Sequence, residues 1–567
     1  MKKRIPYGVG NFETIMVHDM YYVDKTRIIP KLENYQYPFL IRPRRFGKSL
    51  LISLLENYYD IEKTEEFDKL FKNLWISSNP TIEKNSFLTL RFDFSGIETS
   101  KGKELLYESF TNKIKNQIFY FINKFNKYID QKIVRRIEPL KDPSTIIDTL
   151  TSAVKESKKR IYLLIDEYDN FANDLISSND DQTYYEIISK TGFVRTFYES
   201  IKTGAQEGAI WRIFMTGVSP IMLDDLTSGF NIARNITLDK NFNESLGFTQ
   251  EEVKEMTEYY NILSEEKKEK ALQDMKIFYN GYLFSEDAKE RLYNPDMVLH
   301  FMDSYKEGEY PKLMVDMNVK TDYGKIQRLI NEDRYKNKSS KIDEILEKEE
   351  ISTKLIQMFP LEAITNKDEL ISLMFYMGLL TIKESIYANV KLKVPNLVIK
   401  ELYWEYIYTK VNHELDQTLD IGTITEKIQK MAQTGNPEEF IKFAYEKTRE
   451  YLSNRDLIQM DEKSIKMILL SFLTMNSVYI PYSEIEMNGG YSDLVLIPDT
   501  RYKVNNAQIW ELKYIKKNEN KEEKIEQAKQ QIKKYEQDIK FIRQTKGIKV
   551  YKYIILATKE KIEIQNY

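Results

Sequence analysis

The sequence contains no cysteine among its 567 residues. This absence excludes disulfide bonds, thiolate nucleophiles and zinc sites built on cysteine. Histidine is also scarce, because only His18, His300 and His413 supply an imidazole, and they lie far apart in the chain. Ser-His-Asp catalysis and histidine-rich metal sites are therefore disfavoured. Any metal chemistry must depend on carboxylates, which are typical ligands of hard ions such as magnesium.

Long apolar runs are missing as well. No stretch approaches the roughly 18 consecutive apolar residues of a membrane span, so no membrane partner is expected. The basic start at residues 1–4 opens no apolar run, so no signal peptide is predicted and a cytoplasmic location is expected. The net charge of −3 neither indicates nor excludes a nucleic-acid partner. With 42% hydrophobic and 30% charged residues, the composition is globular, and the length predicts two to four domains.

The first part of the chain alternates short apolar runs with helical stretches. This rhythm predicts an α/β fold with a parallel sheet. The predicted strands are Tyr37–Ile41, Phe87–Phe94, Ile161–Ile165 and Trp211–Met215, and a predicted helix at Ser49–Tyr59 follows the first of them.

The rest of the chain changes character twice. From about Gly247 the pattern is mainly helical, and helix, strand and strand at Leu370–Leu380, Thr381–Lys383 and Val390–Val394 are open to interpretation as a small winged-helix-like unit. The last part returns to α/β, with predicted strands Tyr491–Ile497, Gln508–Ile515 and Lys549–Leu556 and a helix at Lys521–Ile542. These changes predict three domains, at residues 1–245, 246–450 and 455–567.

Residues 42–49 end in Gly47-Lys48-Ser49, as a phosphate-binding loop does. In such a loop (Walker A), backbone N–H groups at a helix N-terminus hold phosphates, the lysine adds charge and the hydroxyl binds magnesium. Arg44 and Arg45 would add further charge near the phosphates. However, Arg42 stands where the usual pattern has its first glycine, and a plain surface turn is the alternative reading of these residues.

A second motif favours the phosphate-binding reading. The apolar strand 161–165 ends in Asp166-Glu167, which is the Walker B arrangement. Asp166 would then reach the magnesium shell and Glu167 would orient and deprotonate the attacking water. The alternative is a strand that runs into a solvated loop. Thr216, at the end of the next predicted strand, would face the γ-phosphate or the water as a sensor, or would serve only as a helix cap.

The N-terminal half resembles the AAA-ATPase-like family of P-loop proteins, which commonly carries an attached PD-(D/E)xK nuclease domain. The resemblance rests on residues 22–26 (YVDKT), 42–49 (RPRRFGKS), 164–169 (LIDEYD), 216–219 (TGVS), 279–282 (YNGY) and 293–295 (YNP). It implies that an arginine in place of the first glycine is the family's own form of the loop. It also implies that ATP and Mg²⁺ are cofactors and that the residues of the two motifs named above form their binding site.

The C-terminal part carries an Asp…Glu-x-Lys pattern. Glu511 and Lys513 share one face of a strand, since side chains alternate along it, and Trp510 and Leu512 take the other face, toward a core. Asp493, on a neighbouring predicted strand, would meet Glu511 around one metal ion. Such a carboxylate pair beside a lysine suits metal-dependent phosphodiester hydrolysis. The alternative is a solvated strand face.

This pattern resembles the PD-(D/E)xK nuclease domain, over roughly residues 455–560, although Ser492 stands where the nominal pattern has proline. The resemblance implies that Asp493 and Glu511 are metal ligands, that Lys513 is the catalytic lysine and that Gln531 is a supporting polar residue of the helix. Glu462 is a candidate for the upstream acid. The implied fold is an α/β restriction-endonuclease-like domain.

Two functional hypotheses remain open at this point. The first is an ATP-dependent, magnesium-dependent nuclease that acts on nucleic acid, with DNA favoured over RNA and oligomeric state left open. From Lys513 to Lys552, thirteen Lys/Arg stand against six Asp/Glu, which suits either phosphate contacts or a solvated helix face. The second hypothesis is a nucleotide-dependent switch whose C-terminal domain binds nucleic acid or protein without cutting. The first is favoured because both acidic sites have their full sets of residues.

Overall fold

The computed structural model of the chain divides into two compact units, residues 1–339 with 350–398 and residues 340–349 with 399–567. The predicted middle region, 246–450, is therefore shared between them. The residues described are 2–226, 229–260, 264–306, 309–316, 318–319, 345, 350–414, 420–453, 461–476, 478–483, 486–487, 490–491, 494–499, 501–516, 519–537, 541–542 and 545–567.

The first unit is built on a parallel five-stranded sheet, in the order β2-β3-β4-β1-β5. Apolar side chains cover almost every strand position, as expected of strands with helices on both faces. The strands are β1 (Pro38–Ile41), β2 (Leu88–Asp93), β3 (Ile161–Asp166), β4 (Ile210–Gly217) and β5 (Arg234–Asn235). All four predicted strands are confirmed, within one or two residues at each end.

The α-helices of the first unit, up to residue 305, lie between and after these strands. They are α1 (Phe12–Val17), α2 (Ile29–Leu32), α3 (Lys48–Tyr59), α4 (Phe67–Leu70), α5 (Trp75–Ser78), α6 (Lys103–Lys124), α7 (Lys132–Ile137), α8 (Pro143–Glu156), α9 (Asn170–Ser177), α10 (Asp181–Ile188), α11 (Phe193–Gln206), α12 (Ile221–Asp225), α13 (Gln250–Tyr259), α14 (Glu265–Tyr279) and α15 (Pro295–Tyr305). Short 3₁₀ turns occur at Thr26–Ile28, Ile61–Lys63 and Lys240–Ser245. The core under α3 is apolar and rich in aromatic rings, because Leu51, Leu54, Tyr58 and Tyr59 pack against the sheet there.

A smaller antiparallel sheet closes the first unit. Its order is β6-β8-β7, with β6 (Glu350–Thr353), β7 (Thr381–Ile386) and β8 (Asn389–Lys393), and a 3₁₀ turn (Leu361–Thr365) and α16 (Lys367–Tyr376) lie between β6 and β7. The predicted succession of helix, strand and strand is thereby confirmed.

The second unit contains a mixed five-stranded sheet, in the order β15-β14-β13-β12-β9. Its strands are β9 (Tyr479–Ser483), β12 (Leu494–Pro498), β13 (Asn506–Tyr514), β14 (Lys549–Ala557) and β15 (Ile562–Asn566), and a separate hairpin is formed by β10 (Glu486–Met487) and β11 (Gly490–Tyr491). Only the β13–β14 pair of this sheet is parallel. Of the strand predicted at 491–497, residues 494–497 are confirmed as part of β12, whereas Tyr491 belongs to the hairpin and residues 492 and 493 lie outside the described residues.

Helices accompany this sheet. They are α17 (Leu397–Glu414, whose first two residues belong to the first unit), α18 (Ile421–Thr434), α19 (Glu438–Ser453), α20 (Glu462–Leu473) and α21 (Lys521–Tyr535). Ala528 and Ile532 of α21 pack on Ala507 and Ile509 of β13 in one apolar core. Phe440 of α19 contacts Trp510 with ring centroids 6.1 Å apart. Helix α21 ends at residue 535, seven residues before the predicted end.

None of the helices among the described residues is long and apolar enough to cross a membrane.

Candidate functional site

The loop between β1 and α3 curls around the side chain of Lys48. Gly47, which precedes α3, has the left-handed φ of 88° that favours glycine, and Arg45 also has a positive φ, of 66°. Lys48 Nζ donates to the carbonyl oxygens of Arg42 and Pro43 at 3.1 and 2.9 Å. The lysine is therefore held inside the loop that starts α3. Burial lowers the pKa of Lys48, while the carboxylates of Glu167 and Asp166 act in the opposite direction.

Asp166 ends β3 with its carboxylate buried. Oδ2 accepts a hydrogen bond from Arg91 Nη2 at 3.0 Å, and Oδ1 is buried with no hydrogen-bond donor among the described residues. Burial raises the pKa of Asp166, and Arg91 followed by the Ser49 hydroxyl partly offsets that rise. The first residues of α3 and the last residue of β3 thus meet at one point.

This point suits a hard cation. A buried carboxylate oxygen without a donor, beside a serine hydroxyl, offers oxygen ligands of the type that Mg²⁺ prefers. Within the part of the chain that the structure describes, no cluster of three or more Asp, Glu or His is gathered for a metal ion. Two protein ligands are enough here, because Mg²⁺ usually takes one or two carboxylates and fills its shell with water and phosphate oxygens.

Glu167 follows Asp166 in an unusual backbone conformation. Its φ is +50°, a region that a residue other than glycine occupies only under local constraint. Burial raises the pKa of Glu167, Lys48 lowers it, and the neighbouring carboxylates of Asp166, Asp93 and Asp169 raise it further. A general base needs a pKa raised in this direction to work near neutral pH.

Asp169 fastens this turn to the end of β4. Its carboxylate accepts hydrogen bonds from the backbone N–H groups of Val218 and Ser219 and from Asn173 Nδ2. Sequence reasoning did not assign Asp169 a role, and the signal available was a third carboxylate after Asp166 and Glu167. The consequence of the contact is that the Glu167 turn and the β4 end are held together.

The predicted sensor residue, Thr216, is fully buried near the end of β4. Its hydroxyl donates to the carbonyl oxygen of Leu40 in β1 at 2.9 Å. This bond uses the single hydroxyl proton, so Thr216 joins two strands and would have to break that bond to donate to a phosphate.

A cavity of about 640 Å³ opens at the loop. Six of the residues predicted for nucleotide binding or catalysis line it: Arg44, Arg45, Gly47, Lys48, Ser49 and Glu167. Apolar and aromatic side chains line the rest, among them Val9, Ile15, Tyr22, Phe248 and Met256. A charged end beside an apolar chamber, at this volume, suits a ligand with phosphates at one end and a flat ring at the other.

The second unit brings together part of its predicted site. Lys513 Nζ donates to Glu511 Oε1 at 2.8 Å, and both side chains are buried, with Glu511 fully so. Trp510 and Leu512 are buried on the opposite face, as predicted. The carboxylate face is not solvated either, because Ala507 and Ile509 of the same face pack under α21. A buried ion pair on a strand is unlike the solvated strand face that was the alternative.

Glu462 reaches the same point from the start of α20. Its Oε2 accepts a hydrogen bond from the backbone N–H of Tyr514 at 3.2 Å, and its Oε1 lies 4.0 Å from Lys513 Nζ. The upstream acid proposed from sequence therefore lies beside the pair. Gln531 is half-buried on α21, between the core residues Ala528 and Ile532. Asp493 lies outside the described residues, and β12 begins at the next residue, Leu494, opposite Trp510.

These two arrangements define a protein that carries a P-loop ATPase-like domain followed by a nuclease-like domain. The model of a predicted AAA-ATPase family matches residues 6–227, and the model of the PD-(D/E)XK nuclease superfamily matches residues 460–567. The resemblance read from the sequence is thus confirmed for both domains, and so is the α/β fold class. Among curated proteins, the chain is 24% identical over 447 residues to an uncharacterized protein in the vnfD 5′ region of Azotobacter chroococcum mcd 1, an alignment that covers 76% of this chain and 73% of that protein.

Proposed function

We propose that this protein binds and hydrolyses ATP and that its C-terminal domain hydrolyses the phosphodiester bonds of nucleic acid in a magnesium-dependent reaction. The observation that carries the proposal is the meeting of opposite charges at buried strand ends. Lys48 and Glu167 line one cavity, and Lys513 lies 2.8 Å from Glu511 with Glu462 beside it. DNA is the favoured substrate over RNA.

At the first site, the backbone N–H groups at the start of α3 would hold the phosphates, with Lys48, Arg44 and Arg45 supplying positive charge. Ser49 and Asp166 would hold Mg²⁺, which supplies neutralisation of the phosphate charge when bound. Glu167 would accept a proton from the attacking water, since burial raises its proton affinity.

At the second site, Glu511 and Asp493 would hold Mg²⁺, which supplies polarisation of the phosphate and of a water molecule when bound. Lys513 would orient that water and offset negative charge on the phosphate, and Glu511 keeps its ammonium group in place. Glu462 orients the strand end through the Tyr514 N–H. Gln531 is the supporting polar residue of α21.

The test uses the full chain with labelled single- and double-stranded DNA and RNA, Mg²⁺, and ATP present or absent. The variants are Lys513→Ala and Lys48→Ala, with Lys559→Ala as the control, an exposed lysine in the turn between β14 and β15. We expect Lys513→Ala to reduce cutting about 100-fold or more, Lys48→Ala to abolish ATP hydrolysis, and the control to match wild type.

Each outcome bears on a separate part of the proposal. Cutting that survives Lys513→Ala would remove the site assignment. Cutting that is indifferent to Lys48→Ala would leave the nuclease but remove its dependence on ATP. Binding of nucleic acid without cutting of any substrate would favour the nucleotide-dependent switch instead.

A further inference from the structure

Arg42 stands where the common loop pattern has glycine, and its side chain turns into the core of the first unit. It is 0% exposed. Nη1 donates to the carbonyl oxygens of Ile41 and Thr237 at 2.8 and 3.0 Å, and Nη2 donates to that of Phe242 at 2.7 Å. Burial lowers the pKa of Arg42 to about 9, so the guanidinium stays charged at neutral pH. Neutral carbonyls thus anchor a buried cation directly beneath the phosphate-binding loop.

The backbone explains why this position needs no glycine. The N–H of Arg42 donates to the carbonyl of Gly217 at 3.3 Å, so residue 42 continues the pairing of β1 with β4. The left-handed conformations that the loop requires fall at Arg45 and Gly47 instead. A side chain at residue 42 is therefore free of backbone strain and available for another task.

Both ends of the loop contact the ring of Phe284, and Phe46 also contacts that of Tyr282. The Arg42 guanidinium lies over the ring of Phe284, 4.1 Å from its centroid. Phe46 packs edge-on against Tyr282 and Phe284, with centroids 4.9 and 5.3 Å away. Cation–π and edge-to-face contacts between buried groups are both stabilising. The four side chains Arg42, Phe46, Tyr282 and Phe284, here called the aromatic clamp, hold the loop to residues 282–284.

Asn243 completes a ring of contacts around the clamp. The N–H of Phe284 donates to Asn243 Oδ1 at 3.0 Å, and the preceding residue, Phe242, supplies the carbonyl that Arg42 bonds. A displacement of Arg42 would therefore act on Phe284 along two paths, through its ring and through its backbone.

The far side of the clamp is fixed to β7. The N–H of Leu283 donates to Thr381 Oγ1 at 2.7 Å, and Arg291 Nη1 joins the carbonyls of Gly281 and Ile382, both at 2.9 Å. Gly281 lies against the backbone of Pro395, where an added Cβ would come within 2.0 Å of the carbonyl oxygen. Residues 281–284 therefore have little freedom to move independently of β7 and residue 395. All of these residues belong to the first unit.

We propose that Arg42 is a positioning residue that shapes the phosphate-binding loop from beneath and transmits nucleotide occupancy through the aromatic clamp to β7. This inference rests on the proposed ATP binding. It explains the arginine as a working part of the loop, with a planar fork that bonds three carbonyls and stacks on a ring, which neither lysine nor glycine can do.

The experiment compares full-length wild type with Arg42→Gly, Arg42→Lys and Phe284→Leu. Arg160→Met is the matched control, since Arg160 stacks on Trp211 at 3.9 Å and precedes the N-terminal end of β3, whereas the loop follows the C-terminal end of the parallel strand β1. Titration with a fluorescent ATP analogue gives the affinity, and hydrogen exchange with and without ATP follows residues 281–284 and 381–386.

We expect ATP to slow exchange at both segments in wild type and in Arg160→Met. We expect Arg42→Gly, which restores the common pattern, to weaken binding at least 10-fold, and Arg42→Lys to recover only a minor part. Phe284→Leu should bind nucleotide yet lose the slowing at 381–386, and it keeps the test decisive if Arg42→Gly does not fold.

Three results would overturn the inference: wild-type affinity in Arg42→Gly, full recovery by Arg42→Lys, or unchanged transmission in Phe284→Leu. The first two would show that the fork geometry is unnecessary, and the third that the clamp is not the path. A wild-type protein that binds no ATP would instead overturn the proposed function, so the two failures are distinct.

Discussion

At the scale of single residues, the contact between Arg91 and Asp166 is one that could not be predicted from the sequence. Arg91 is an unremarkable charged residue in a predicted strand. Its meeting with Asp166 depends on the parallel pairing of β2 with β3, in which Asp93 lies opposite Asp166. Such a register is a property of the folded sheet and not of either segment.

We predict that Arg91→Met destabilises the protein by about 1–3 kcal/mol, because it leaves the buried Asp166 carboxylate without its cation. The double variant Arg91→Met/Asp166→Asn should cost less than the sum of the two single changes. Urea denaturation of the four proteins measures this coupling. Additivity within about 0.5 kcal/mol would contradict the assigned contact.

Glu167 supports a second prediction at this scale. Glu167→Gln keeps the size of the side chain and removes its ability to accept a proton, so ATP hydrolysis should fall about 100- to 10,000-fold while nucleotide binding persists. Steady-state hydrolysis and nucleotide titration separate the two effects. Glu207→Gln, a change at an exposed carboxylate, serves as the control. A comparable loss of binding affinity would point to a structural role.

At the scale of elements, Asp225 joins α12 to α10 and to the 3₁₀ turn at 361–365. Tyr184 donates to Asp225 Oδ2 at 2.5 Å, and Glu362 and Asp224 are the nearby carboxylates. Burial, the largest cause, raises the pKa of Asp225 to about 6. Because the folded pKa lies above the unfolded one, the folded state is favoured by protonation, and this contribution is lost as pH rises from about 4 to 6.

We therefore predict that Asp225→Asn, which cannot ionise and still accepts from Tyr184, stabilises the first unit by about 1–2 kcal/mol at pH 7 and has little effect at pH 4. Denaturant unfolding at pH 4, 5, 6 and 7 gives the profile. A gain of equal size at every pH would show that the ionisation of Asp225 is not its cause.

The turn between α18 and α19 gives a prediction about packing in the second unit. Gly435 has φ +77°, and an added Cβ would come within 2.2 Å of the Tyr551 ring, whereas Gly547 has φ +80° with nothing within 4 Å. Gly435→Ala and Gly547→Ala share the conformational cost of about 1–2 kcal/mol, and only the first meets a side chain. We expect thermal unfolding to show Gly435→Ala as the more destabilised by at least about 2 kcal/mol. Equal losses would mean that Tyr551 moves aside.

Much of the element inventory followed from sequence, for reasons that differ between elements. Strands such as Ile161–Asp166 are continuous apolar runs, and α3 carries its apolar side chains at helical spacing. Because the buried positions of each element must be apolar, these elements can be predicted from the sequence. Short edge strands such as β5 have no such pattern. Candidate site residues could be predicted from the sequence where a carboxylate lies at or near the end of an apolar strand, as do Asp166 and Glu511. Contacts across elements, such as those of Arg42, were not.

At the scale of the whole molecule, the division into two units predicts separate responses to nucleotide. Calorimetric unfolding should show two transitions. ATP with Mg²⁺ should raise the midpoint temperature of only the transition that belongs to the first unit. At a concentration 100 times the dissociation constant, the stabilisation should be about 2.7 kcal/mol. The variant Lys48→Ala should show no such shift. Equal shifts in both transitions would contradict separate responses, and a single transition would mean that the units unfold as one.

The place of β1 in its sheet also determines when the first site can exist during synthesis. β1 bonds to β4 and β5, which lie at residues 210–217 and 234–235. A growing chain thus exposes this apolar strand for on the order of ten seconds before its neighbours leave the ribosome, at ordinary elongation rates. Until then the proposed nucleotide site cannot form, and we expect the nascent chain to bind a chaperone that shields hydrophobic segments.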